Sequence, residues 1–237
     1  MITTIARLTY STLFGHRRGL LMFILPGVLL ALSVVLRLTV DDRSVVGIEL
    51  LQQLALAVIL PLVALIAGTG AIATEIDDGS IVYLLSKPIK RYTIVLTKAV
   101  VAFACIAVFG ALPTLLSGLI LGTSLSVSLA FAIGALVAGA AYTAIFLALS
   151  VMTGNAVTIG LLYALLWESV MGTYVPGART LSVQQWALSI IDKLASGNDL
   201  DPAVKLPLAI ILLVAVTALG LSLAVSRLRS LTLSSAE

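Results

Sequence analysis

The stretch Glu75-Ile76-Asp77-Asp78-Gly79-Ser80-Ile81-Val82-Tyr83-Leu84-Leu85-Ser86-Lys87-Pro88-Ile89-Lys90-Arg91 is a polar island between two long apolar runs. Three acids open it and three bases close it, so a short helix between them would hold each charge at the favourable end of its dipole. Ile81, Leu84 and Leu85 fall on one face of such a helix. Pro88 stops it near Ser86 or Lys87, because the residue before a proline is disfavoured in the helical region. The outcome is an apolar knob with charged ends, a handle by which something outside the membrane could move what is inside it. Charge pattern alone leaves an ordinary solvated loop equally open.

Working outward, six stretches reach the roughly twenty residues that cross a bilayer core. They lie near Leu20–Val40, Leu50–Ala73, Ile94–Leu121, Ser128–Met152, Ala156–Tyr174 and Leu206–Val225. An even count places both termini on one side. With the termini and residues 74–93 inside, nine of the fourteen bases are inner (Arg7, Arg17, Arg18, Lys87, Lys90, Arg91, Lys98, Arg227, Arg229). Five are outer (Arg37, Arg43, Arg179, Lys193, Lys205), so the positive-inside rule puts the handle in the cytosol.

Of 237 residues, 60% are hydrophobic and 11% charged, which marks an integral membrane protein. The net charge of +3 and pI near 9.2 come from bases beside apolar spans; no basic stripe with interleaved aromatics suggests nucleic acid. One cysteine, Cys105, excludes an intrachain disulfide, and with one histidine, His16, no Zn set can form. The first apolar run is too long for a signal peptide and lacks a cleavage site, so it is expected to stay as a helix. The chain is expected to be one all-α transmembrane domain over 1–237.

Residues 1–18 pair Ile2, Ile5, Leu13 and Phe14 with Arg7, His16, Arg17 and Arg18, as an amphipathic helix on the membrane surface would. Pro26, Pro61 and Pro113 predict kinks, since proline removes a helical hydrogen bond. Gly134/Ala138 and Ala135/Gly139 are small-xxx-small pairs, expected to pack within the chain before serving a dimer seam. Residues 176–203 form the sizeable outer segment. There Ser182 and Gln185 fit a capping box ahead of Val183, Trp186, Ala187, Ile190, Ile191 and Leu194, predicting an amphipathic interfacial helix with Trp186 at headgroup depth and Gly197 as its C-cap.

No catalytic constellation appears. A single histidine excludes HExxH, and neither a G-x-S-x-G elbow nor a phosphate-binding G-x-x-x-x-G-K-[ST] loop occurs. Asp41, Asp42 and Glu49 lie near an outer loop. Glu168 is the acid set inside a span, where a carboxylate must be protonated, paired or facing water. An interhelical structural role and a substrate- or proton-carrying role are both open to it.

The chain resembles permease subunits of type 2 ABC transporters, the exporter-like class with six spans and a separate ATPase. The likeness rests on Glu75, Gly79-Ser80, Leu84-Leu85-Ser86-Lys87-Pro88, Arg91 and Lys98, which follow an E…G-[ST]-x-x-x-L-L-[ST]-x-P…R…K pattern after the second span. A second match is Leu166-Trp167-Glu168 with Val175-Pro176-Gly177 and Leu181-Ser182. The resemblance implies that Glu75, Asp77, Asp78, Gly79, Ser80, Ile81, Leu84, Leu85, Lys87, Pro88 and Arg91 form a cytosolic coupling helix docking on the ATPase. It implies an elbow helix over 1–18, outer-face helices, and two permease chains, expected as a homodimer, with two ATP-binding subunits that hold ATP and Mg. It implies export across a bacterial cytoplasmic membrane, with no cofactor in this chain. An ion-coupled secondary transporter using Glu168 and a non-transporting anchor are the alternatives.

Overall fold

The computed structural model describes residues 16–40, 43–77, 91–195 and 200–234, and among these no strand occurs. Helix α1 is His16–Thr39. Helix α2 runs without a break through Arg43–Leu50, Leu51–Ile59 and Leu60–Asp77, the middle piece wound as a π-helix. Helix α3 comprises Arg91–Ile106, a π segment Ala107–Ala111, and Leu112–Leu121. Helix α4 is Leu125–Met152, and α5 joins Ala156–Leu162, a π segment Tyr163–Met171 and Gly172–Tyr174. Short α6 (Pro176–Arg179), then α7 (Val183–Leu194) and α8 (Leu206–Ser234) complete the chain.

Among the described residues, five helices are long and apolar enough to cross a membrane: those carrying Gly19–Thr39, Val45–Ala73, Arg91–Leu121, Leu125–Met152 and Leu206–Leu228. The fifth span expected from sequence is present as α5, but its apolar part, Ala156–Met171, is shorter. Residues 1–15 of the expected elbow helix fall outside the described residues, and 16–18 open α1. Residues 78–90, most of the expected handle, also fall outside them.

Of the three prolines that predict kinks, Pro26 lies inside α1, while Pro61 and Pro113 each follow a widened stretch of helix. Pro61 has no N–H to give Ala57 O, its partner four residues back, and the ring crowds that carbonyl. The chain answers with i→i+5 winding just upstream, where the Leu60 amide donates to Ala55 O. Pro113 repeats the pattern: a π segment ends two residues before it, and Leu112 N–H donates to Ala107 O. Threonine hydroxyls in the spans turn back on their own helices, as Thr69 does to Leu65 O and Thr143 to Gly139 O.

Helices α2 and α4 are central and α1 and α8 peripheral, with most of their surface open to lipid. Packing on α4 depends on its small residues, among which Gly134, Ala135, Ala138 and Gly139 are buried. Gly134 lies against the Ile191 side chain of α7, and Gly139 against Ile106 of α3, so both small-xxx-small pairs serve neighbours in the same chain. A tight turn links α3 to α4 through Gly122, whose φ of 78° is the left-handed region glycine tolerates.

Helix α7 departs from the sequence expectation. Val183 through Ser189 are all buried, and the helix packs against α4 and α8. Trp186 is only 4% exposed and its indole N–H donates to Thr180 O at 2.8 Å. It is therefore enclosed by protein, where a headgroup-level position was expected. The reason is that glutamines and serines at helical spacing suit a polar protein core as well as an interface, and Gln184, Gln185 and Ser189 are all at most 3% exposed. Gly197, the expected C-cap, lies outside the described residues.

Candidate functional site

Two polar constellations stand out in the apolar bundle, at opposite ends of α2. The first lies at the foot of the α2–α3 connection. Glu75, two residues before the end of α2, meets Lys98, two turns into α3: Nζ lies 2.6 Å from Oε1. The same ammonium donates to Ala71 O at 2.5 Å. Lys98 is wholly buried and the Glu75 side chain 18% exposed, so the pair sits at the margin of the core, with Glu75 Oε2 itself buried. A lysine inside an apolar span needs such a partner, and the two helices that frame residues 78–90 are thereby tied together.

Of the expected coupling residues, Glu75 is placed in this pair, Asp77 ends α2 and Arg91 opens α3. Asp78, Gly79, Ser80, Ile81, Leu84, Leu85, Lys87 and Pro88 lie outside the described residues.

The second constellation is built round Glu168, wholly buried in the π segment of α5. Tyr163 Oη donates to Oε1 at 2.7 Å and Ser182 Oγ to Oε2 at 2.6 Å. The amides of Val183 and Gln184 add bonds of 3.1 and 3.3 Å. These are the first amides of α7, otherwise unsatisfied, and the positive end of its dipole faces the carboxylate. Glu168 thus caps α7 from another helix. The expected capping box does not form: Ser182 holds the N-cap position but its hydroxyl donates to Glu168, and Gln185 bonds Gly172 O and the Ala203 amide.

From this node the polar contacts extend to α2. Gln184 Nε2 donates to Gln52 O at 3.0 Å, and the Ser169 hydroxyl lies 2.7 Å from Ala57 O and 3.0 Å from Ala164 O. Both α2 acceptors belong to its π segment. Beside this region an apolar groove of about 400 Å³, lined by residues such as Leu21, Leu25, Leu62, Ile66 and Leu161, separates α1, α2 and α5. It carries no charged side chain.

A family model for ABC-2 family transporter proteins matches residues 14–225. The chain belongs to the ABC-2 transporter family. No curated protein matches it closely enough to add a relative. This ABC-2 permease is a multi-pass membrane protein and a transport component, and its family implies a partnership with an ABC ATP-binding subunit.

For an ABC-2 permease, the resemblance quoted Glu75 and Lys98 as separate positions of one pattern; the structure makes them an ion pair. Tyr163, Ser169 and Gln184 escaped sequence reasoning. A signal existed for Lys98, a charge inside an apolar run with an acid across the connection. None existed for Ser169 or Gln184, which become partners only through the tertiary approach of α5 and α7 to α2.

Proposed function

We propose that this permease passes the motion of an ATP-binding subunit to the spans through residues 75–91. The observation that carries this reading is the Glu75–Lys98 pair, which fixes the two helices on which that segment is strung, so that a push on it would move α2 and α3 together. Ile81, Leu84 and Leu85 form the apolar face that enters the ATPase, and Asp77, Asp78, Lys87 and Arg91 flank it. Two copies of the chain and two ATP-binding subunits, which hold ATP and Mg, make the working unit, and cargo leaves by export. The segment and both termini are cytosolic in a bacterial cytoplasmic membrane.

The test is Leu84→Asp with Leu85→Asp in the co-expressed complex. The ATP-binding subunit should no longer co-purify, and cargo-stimulated hydrolysis should fall to the basal rate. Intact co-purification with unchanged stimulation would remove the coupling role. The secondary-transporter reading gains no support from Glu168, whose carboxylate accepts from Tyr163 of its own helix and from three donors at the start of α7.

A further inference from the structure

We infer that Ser169 is a positioning residue, the pin of a hinge in α2 at Pro61. Proline cannot give Ala57 O the amide donor that an α-helix would supply, and a buried carbonyl short of a donor is destabilising. Ala57 is 1% exposed, so water is a poor substitute, and the Ser169 hydroxyl takes the place of the missing amide at 2.7 Å. Gln184 holds the same π segment one turn earlier, at Gln52 O.

The lever beyond the hinge is long. Leu60–Asp77 continues as a regular α-helix to the ion pair. At 1.5 Å per residue, Glu75 lies roughly 22 Å past the hinge, so a bend of about 10° moves it by roughly 4 Å. That displacement exceeds what the 2.6 Å contact with Lys98 tolerates. Ser169 therefore sets, from the far end of α2, whether Lys98 stays covered. The adjacent Glu168 holds α7, so two consecutive residues of α5 fix both the hinge and the buried helix beside it. The hinge belongs to the chain alone, whatever docks on residues 75–91.

The test uses the full chain in lipid nanodiscs and the rate at which an amine-reactive reagent labels Lys98. Ser169→Ala should raise that rate several-fold, and Ser169→Thr, which keeps a hydroxyl, should stay near wild type. Labelling of exposed Lys205 by the same reagent, and of buried Cys105 by a separate thiol-reactive reagent, should not change, which separates hinge release from general loosening. Pro61→Ala returns an amide to Ala57 O, so in that background Ser169→Ala should add nothing. Unchanged Lys98 labelling in Ser169→Ala, or an equal rise in the Pro61→Ala background, would overturn the assignment. If Ser169→Ala does not fold, coupling must still be reciprocal. Glu75→Ala should then speed amide exchange at Leu62 and Val63 several-fold, and unchanged exchange there would overturn it as well.

Discussion

Lys98 of α3 suspends its ammonium between two acceptors of α2, Ala71 O at 2.5 Å and Glu75 Oε1 at 2.6 Å. The burial of the two partners is unequal, and that inequality orders the consequences of breaking the pair. Glu75→Ala strands a fully buried cation, a change that costs about 3–5 kcal/mol. Lys98→Met leaves behind a carboxylate on a side chain that is 18% exposed, less enclosed than the lysine, and should cost less. Thermal unfolding in nanodiscs checks the order; a larger loss for Lys98→Met would mean the burial is misjudged.

Glu168 holds α7 through acceptors alone, so an isosteric amide is a sharp probe. Glu168→Gln turns one oxygen into a donor facing donors, costing about 1–3 kcal/mol. Amide exchange at Val183 and Gln184 should accelerate in the same variant. Ser182→Ala removes one of the four donors and should cost less than Glu168→Gln. If Ser182→Ala alone freed those amides, the conventional capping box would be restored and the cap from α5 abandoned.

Close helix approaches predict a graded series at three glycines. A Cβ on Gly220 would stand 2.8 Å from the backbone carbon and oxygen of Ala144, which cannot retreat. Gly134 faces the Ile191 side chain, which can rotate away. Gly177 meets nothing within 4 Å. Gly220→Ala should therefore lose about 1–3 kcal/mol, Gly134→Ala less, and Gly177→Ala almost nothing. Ile191→Ala should rescue the bulkier Gly134→Val, and equal melting temperatures for the three alanine variants would contradict the packing.

Hydropathy made the spans legible because a bilayer imposes one length and one polarity on every crossing segment. Pro61 and Pro113 marked the disturbed helices for a similar reason: a missing amide is written in the residue itself. The remedy is not written there. Ser169 could be recognised only once α5 lay beside α2, since the residues that meet are 112 positions apart. Helix α7 misled for another reason, because Trp186 and its polar neighbours have the pattern of an interface helix and the fold uses them as a core. Glu75 and Lys98 were both visible, one on each side of the connection, and their union needed only α2 and α3 to run antiparallel.

The capping of α7 by Glu168 bears on how the protein is made. During synthesis α5 emerges with Tyr163 of its own helix beside the carboxylate, but the donors at the start of α7 follow 14 to 16 positions later. Until Ser182, Val183 and Gln184 arrive, an acidic group in hydrocarbon costs about 3 kcal/mol, and the apolar stretch carrying it is short for a bilayer. A nascent α5 is thus a poor candidate for entering lipid alone. Insertion of α5 should therefore depend on α7, and a chain truncated before residue 182 should place this helix in the membrane less efficiently than one that includes α7.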